Sequence, residues 1–83
     1  MSDVGKLVTP RKIKNHTGNC YRLYSLTNLI LRGSEFKYPT LVDKLFYDEI
    51  GLILSLDEES FKFLVLSPRG ISGWCSCENL ILL

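Results

Sequence analysis

Two runs of strand-forming residues separated by four polar ones constrain this chain more than any other feature. Ile50-Gly51-Leu52-Ile53-Leu54-Ser55-Leu56 and Phe61-Lys62-Phe63-Leu64-Val65-Leu66 flank Asp57-Glu58-Glu59-Ser60, a pattern that reads as a β-hairpin with a four-residue loop. Pairing Leu56 with Phe61 sets Leu54 opposite Phe63 and Leu52 opposite Val65. Side chains alternate along a strand, so these six share the core face. The same register puts Ser55 by Lys62, Ile53 by Leu64 and Gly51 by Leu66 on the outer face.

A second reversal follows at Ser67-Pro68-Arg69-Gly70. Proline presets the second position of a type I turn and glycine suits the fourth. Leu66 then pairs with Ile71 and Phe63 with Trp74, which seats the lone tryptophan in the core, although a one-residue bulge would turn it outward. Glu78-Asn79-Leu80 reads as a single turn. The short strand Ile81-Leu82-Leu83 then returns beside Gly5-Lys6-Leu7-Val8-Thr9, joining the two ends of the chain in one closed barrel.

Gly70-x-x-Gly73-Trp74, five residues, then Leu80 resembles the final hairpin, turn and closing strand of SH3-like barrels. Val4-Gly5-Lys6-Leu7-Val8 and Ile50-Gly51-Leu52-Ile53-Leu54 are similar to strands of the small SH3-like proteins encoded by tailed bacteriophages. The resemblance covers about half the chain. It implies a mainly β fold: an SH3-like barrel of about five strands, with an inserted segment between the first strand and the Ile50 strand. The Ala-Leu-Tyr-Asp-Tyr strand and paired tryptophans of peptide-binding SH3 domains are absent, so recognition of Pro-x-x-Pro ligands is not implied.

Eighty-three residues, 46% of them hydrophobic, make one domain with one core. Residues 10–47 form the extended loop or insertion. Within it, Cys20 to Leu31 is apolar on both alternating faces and reads as a strand stopped by Gly33-Ser34. Thr40-Leu41-Val42-Asp43 has the form of a helix cap and predicts one or two helical turns through Tyr47. No apolar run reaches the ~18 residues that span a bilayer, and the first five residues lack signal-peptide character. The expectation is a soluble protein of the host cytoplasm or the virion.

Charge is split along the chain. Residues 1–32 hold six Lys/Arg and one Asp, while residues 33–83 hold four Lys/Arg and eight Asp/Glu. The densest basic stretch contains Arg11, Lys12 and Lys14, candidates for contact with a nucleic-acid backbone. No stacking aromatic is interleaved among them, and an ordinary solvated loop fits the same residues.

Three cysteines and one histidine match a zinc site in number: Cys75 and Cys77 on one strand face, with His16 and Cys20. Their spacing does not match a zinc knuckle, and small buried thiols are the simpler reading. Nothing in the sequence has the pattern of a nucleophile with its base, or of a phosphate-cradling glycine loop. A non-enzymatic interaction module without a cofactor is therefore expected, binding a protein partner or a second copy of itself, and not a membrane. The candidate surface is the apolar outer strip Ile53, Leu64, Leu66 and Ile71, with Tyr21, Tyr24 and Tyr38 from the insertion. The alternative function is a nucleic-acid-binding barrel using the basic N-terminal segment.

Overall fold

The computed structural model describes residues 3–12 and 18–83. Its elements are β1 (Leu7–Pro10), β2 (Cys20–Tyr24), β3 (Ile30–Arg32), β4 (Glu35–Lys37), β5 (Leu41–Phe46), β6 (Gly51–Asp57), β7 (Lys62–Leu66), β8 (Ser72–Ser76), a 3₁₀ turn (Cys77–Asn79) and β9 (Leu80–Leu82). Seven strands form one antiparallel sheet in the order β5-β2-β8-β7-β6-β1-β9, and β3 and β4 form a separate hairpin. This is mainly β, as expected, but with more strands than the five or so of a minimal barrel.

The sheet rolls around a core to which each of its strands contributes. Val8, Leu23, Leu45, Ile53 and Val65 are completely buried, joined by Tyr21, Phe63, Cys75 and Leu80. Leu45 comes from one edge strand and Leu80 from the other. The edges themselves are not hydrogen-bonded to one another in a ladder. Arg11 spans the seam instead: its N–H donates to the Asn79 carbonyl (2.8 Å), and its own carbonyl accepts from Tyr21 Oη (2.8 Å). The expected pairing of the chain ends is present, with Val8 opposite Leu82, Thr9 opposite Ile81 and Pro10 opposite Leu80. It leaves β9 as an edge, however, because β1 lies between β9 and β6.

Both C-terminal hairpins are present, with registers that differ from simple addition. In the first, Asp57 pairs with Lys62, Leu56 with Phe63, Ser55 with Leu64 and Ile53 with Val65, and the register shifts at Leu54. That bulge reverses the faces of the strand before it. Ile53, expected outside, is fully buried, and Leu54, expected in the core, is exposed. Phe61 is 72% exposed rather than a core residue; it ends the loop at φ 53°, in the left-handed region that few bulky residues enter.

In the second hairpin the Gly70 N–H donates to the Ser67 carbonyl (2.9 Å) and the Ser67 N–H to the Ile71 carbonyl (2.8 Å). Gly70 has φ 81°. This is a type I turn followed by a left-handed residue, a three-residue connection that adds one position to the strand. Leu66 therefore pairs with Ser72 and Leu64 with Trp74. Trp74 stands on the outer face, and the inward positions of β8 belong to Gly73 and Cys75.

The expected helix is a strand. β5 pairs with β2 throughout, Cys20 with Phe46 to Tyr24 with Leu41, with Val42 as a bulge. Backbone pairing with β2 and burial of Leu45 outweigh the local capping pattern. Asp43 caps no helix; its carboxylate meets Arg69. Residues 10–47 are thus not an insertion as a whole, since β2 and β5 belong to the main sheet and supply Tyr21, Leu23 and Leu45 to the core. The part that stands apart is the β3–β4 hairpin.

Candidate functional site

β2 and β8 are neighbours through a single register pair, Tyr24 with Trp74, and diverge from there. A cleft of 570 Å³ opens between them. Tyr21, Cys75 and Asn79 line it. Its rim carries Cys20, Arg22 and Tyr24 from β2, Lys44 from β5, Trp74 from β8 and Lys62 from β7. The alternation of each strand explains the rim: Tyr21 and Leu23 turn inward, so Cys20, Arg22 and Tyr24 turn outward. Arg22 and Lys44 face each other across the β2–β5 ladder. Among the described residues no Asp or Glu lines the cleft.

The β3–β4 hairpin is a second exposed feature. Ile30 pairs with Lys37, Leu31 with Phe36 and Arg32 with Glu35, around a two-residue turn whose Gly33 has φ 59°. Leu31 is 59% exposed and Tyr38 64%, with Leu29 and Phe36 about half exposed. The Phe36 and Tyr38 rings stack at 6.2 Å. None of these side chains enters the core.

The structure divides the expected interaction residues. Ile53 is fully buried in the core, and Tyr21 is a core residue that also lines the cleft. Leu64 and Leu66 are half-buried on the outer face, with Trp74 beside Leu64. Ile71, 40% exposed, and Tyr38 remain accessible, and Tyr24 lies in the cleft. The outer strip is therefore not a continuous apolar surface. Phe36, an aromatic that fits either core or interface by sequence, is exposed, and Leu29 and Leu31 read in sequence only as part of a strand; the Gly33-Ser34 turn between two apolar runs was the available signal for these two.

The basic segment is likewise divided. Arg11 is exposed, but its Nε donates to the Glu78 carbonyl (3.2 Å). Lys12 is exposed, and Lys14 lies outside the described residues. Of the candidate zinc ligands, His16 also lies outside them. Cys75 is buried and Cys77 packs against the core, while Cys20 is half-buried on the cleft rim. Burial pushes the Cys75 thiol up to about 12 and raises Cys77 as well, disfavouring the thiolate that would bind a metal. Among the described residues no three His, Cys, Asp or Glu side chains cluster as metal ligands would.

The strongest polar constellation belongs to the β7–β8 turn. Arg69 Nε donates to Asp43 Oδ2 (3.0 Å), Nη1 to Glu49 Oε2 (2.6 Å) and Nη2 to Glu49 Oε1 (2.9 Å), while Nη2 also meets the Lys44 carbonyl. Its guanidinium carbon lies 5.7 Å from the centre of the Phe46 ring. Glu49 is held below its ordinary value by hydrogen bonds from Arg69 and from the Phe46 N–H. Burial pushes Asp43 upward, but hydrogen bonds from Ser67, the Lys44 N–H and Arg69 outweigh it and leave the carboxyl depressed. Glu49 and Asp43 in turn hold the Arg69 proton more firmly. This clasp ties the turn to β5 and to the segment that follows it, with one cation held between two carboxylates and a backbone carbonyl, which marks it as structural.

No protein-family model, curated protein or solved structure matches this chain.

Proposed function

We propose that this protein is a non-enzymatic interaction module, a small structural or accessory protein that docks on a larger protein assembly through the β3–β4 arm. The observation that carries the reading is the arm's composition against its position. A two-stranded hairpin by itself is at best marginally stable in water, and this one places Leu29, Leu31, Phe36 and Tyr38 in solvent while giving nothing to the core. A protein surface that covers those side chains would supply the missing burial. The resemblance of Gly70-x-x-Gly73-Trp74 to phage-encoded barrels fits a role in such an assembly.

Hydrogen exchange and sedimentation test the proposal together. The expected result is rapid exchange of the β3–β4 amides in the dilute monomer, with concentration-dependent association that Phe36→Asp abolishes. A monomer at all concentrations whose arm amides are strongly protected would show that the chain already caps its own arm, and would remove the reason to invoke a partner.

A further inference from the structure

We infer that the cleft between β2 and β8 binds single-stranded nucleic acid, with phosphates at Arg22 and Lys44 and a base on the ring faces of Tyr24 and Trp74. The first observation is a like-charge pair. Arg22 and Lys44 stand directly opposite each other across two antiparallel strands, an arrangement that destabilises a sheet when nothing lies between the charges. Neither forms an ion pair among the described residues, although nine Asp and Glu are available in the chain. Lys62 brings a third cation to the same rim while donating to the Thr27 carbonyl. An anion in the cleft would turn the repulsion into a binding site.

The second observation is independent of charge. Trp74 and Tyr24 are half-buried on the outer face, and neither makes a ring–ring contact within the described protein. Aromatic rings with free faces beside cations are how proteins hold unpaired bases and their phosphates together. Arg22 and Tyr24 are two residues apart on one side of β2, a spacing of about 7 Å that separates the charged end of the cleft from its stacking end. A duplex keeps its bases stacked inside and has nothing to offer these rings. An acidic peptide would satisfy the cations but leave the rings unused, so the pairing of the two features favours the nucleic acid. The cleft volume, 570 Å³, lies within the ~300–1,000 Å³ of ordinary ligand sites.

Trp74 is the sole tryptophan, so its fluorescence reports on the cleft. Titration with twelve-residue oligo(dT) and oligo(U) should quench it saturably, and the affinity should fall linearly in a plot of log K against log salt. Twelve-residue poly-glutamate should not quench. Arg22→Glu puts a carboxylate opposite Lys44, so it should fold with a Tm at or above wild type, yet bind about tenfold or more weakly with the salt slope reduced by about 1. Lys44→Glu should do the same from the other strand. Tyr24→Leu should weaken binding without changing the slope. No saturable quenching by either oligonucleotide, affinity unchanged in both charge reversals, or equal binding of poly-glutamate would each overturn the inference. Binding of one oligonucleotide better than the other would support it and tell RNA from DNA.

Discussion

Gly73→Ala is the sharpest perturbation of this architecture, because it acts where the β2–β5 pair is joined to the C-terminal hairpins. A Cβ added at Gly73 would lie 2.6 Å from Leu23 Cβ, 2.8 Å from Val42 Cγ2 and 3.0 Å from the Leu23 carbonyl carbon. Carbon atoms are at their optimum separation near ~3.5–4.0 Å, so the new methyl sits about 1 Å too close. Rotation of Val42 could relieve one contact. The Leu23 atoms belong to the backbone and the first side-chain carbon of a fully buried residue, and only a shift of β2 against β8 relieves them. Overpacking of this kind costs ~1–3 kcal/mol, and the backbone contacts place Gly73→Ala at about 3 kcal/mol. Total stability for a domain of this size is on the order of 4–12 kcal/mol. Equilibrium urea unfolding, followed through Trp74 fluorescence, measures the difference. Gly70→Ala is the control: among the described residues no atom lies within 4 Å of its added Cβ, so its cost is the left-handed backbone alone, ~1–2 kcal/mol. A loss below about 1 kcal/mol for Gly73→Ala, or one smaller than that of Gly70→Ala, would mean that β2 and β8 do not meet at this distance and would refute the strand order.

The Arg69 clasp makes acid stability predictable in sign. Asp43 and Glu49 bind protons less tightly folded than unfolded, so their stabilisation is complete above the ordinary carboxylate range, about pH 4–4.5, and is lost as pH falls through the depressed folded values. Melting curves between neutral pH and about pH 2.5 should show this loss for the wild type, and Arg69→Met should flatten it; an unchanged pH profile in the variant would sink the assignment. The Cys75 thiol, 3% exposed and pushed up to about 12, should alkylate at pH 8 at least about tenfold more slowly in the folded protein than in urea. Mass mapping of iodoacetamide adducts reads this, and prompt native labelling at Cys75 would contradict its burial. Phe61→Gly should raise stability by roughly 0.5–1 kcal/mol, because relief of the left-handed strain outweighs the entropy of a new glycine. Thermal unfolding decides it, and a clear loss would mean that the exposed ring contributes packing.

The C-terminal hairpins and the meeting of the chain ends were legible because local chemistry specifies them. Strand formers, a Pro-x-Gly turn and alternating polarity all act within a few residues. Which face each strand buries was less legible. A single extra residue reverses a strand, and both hairpins contain one: Leu54 in β6, and Gly70, whose left-handed backbone lengthens the β7–β8 turn. Hence Ile53 moved inward and Trp74 outward. The strand at Leu41–Phe46 was hidden by a cap-like pattern, since the pairing that overrides it comes from β2, some twenty residues away. The arm's turn was visible in Gly33-Ser34, but its lack of burial was not.

Composition and turn chemistry by themselves determined that this chain is one small, mainly β domain with its ends side by side. The candidate surfaces were decided by tertiary structure. Arg22 belongs to the basic part of the sequence and Lys44 and Lys62 to the acidic part, and only sheet pairing brings the three to one cleft without a carboxylate. Charge along a chain is a sum over neighbours in sequence, whereas a binding site depends on neighbours in space, and long-range strand order converts one into the other.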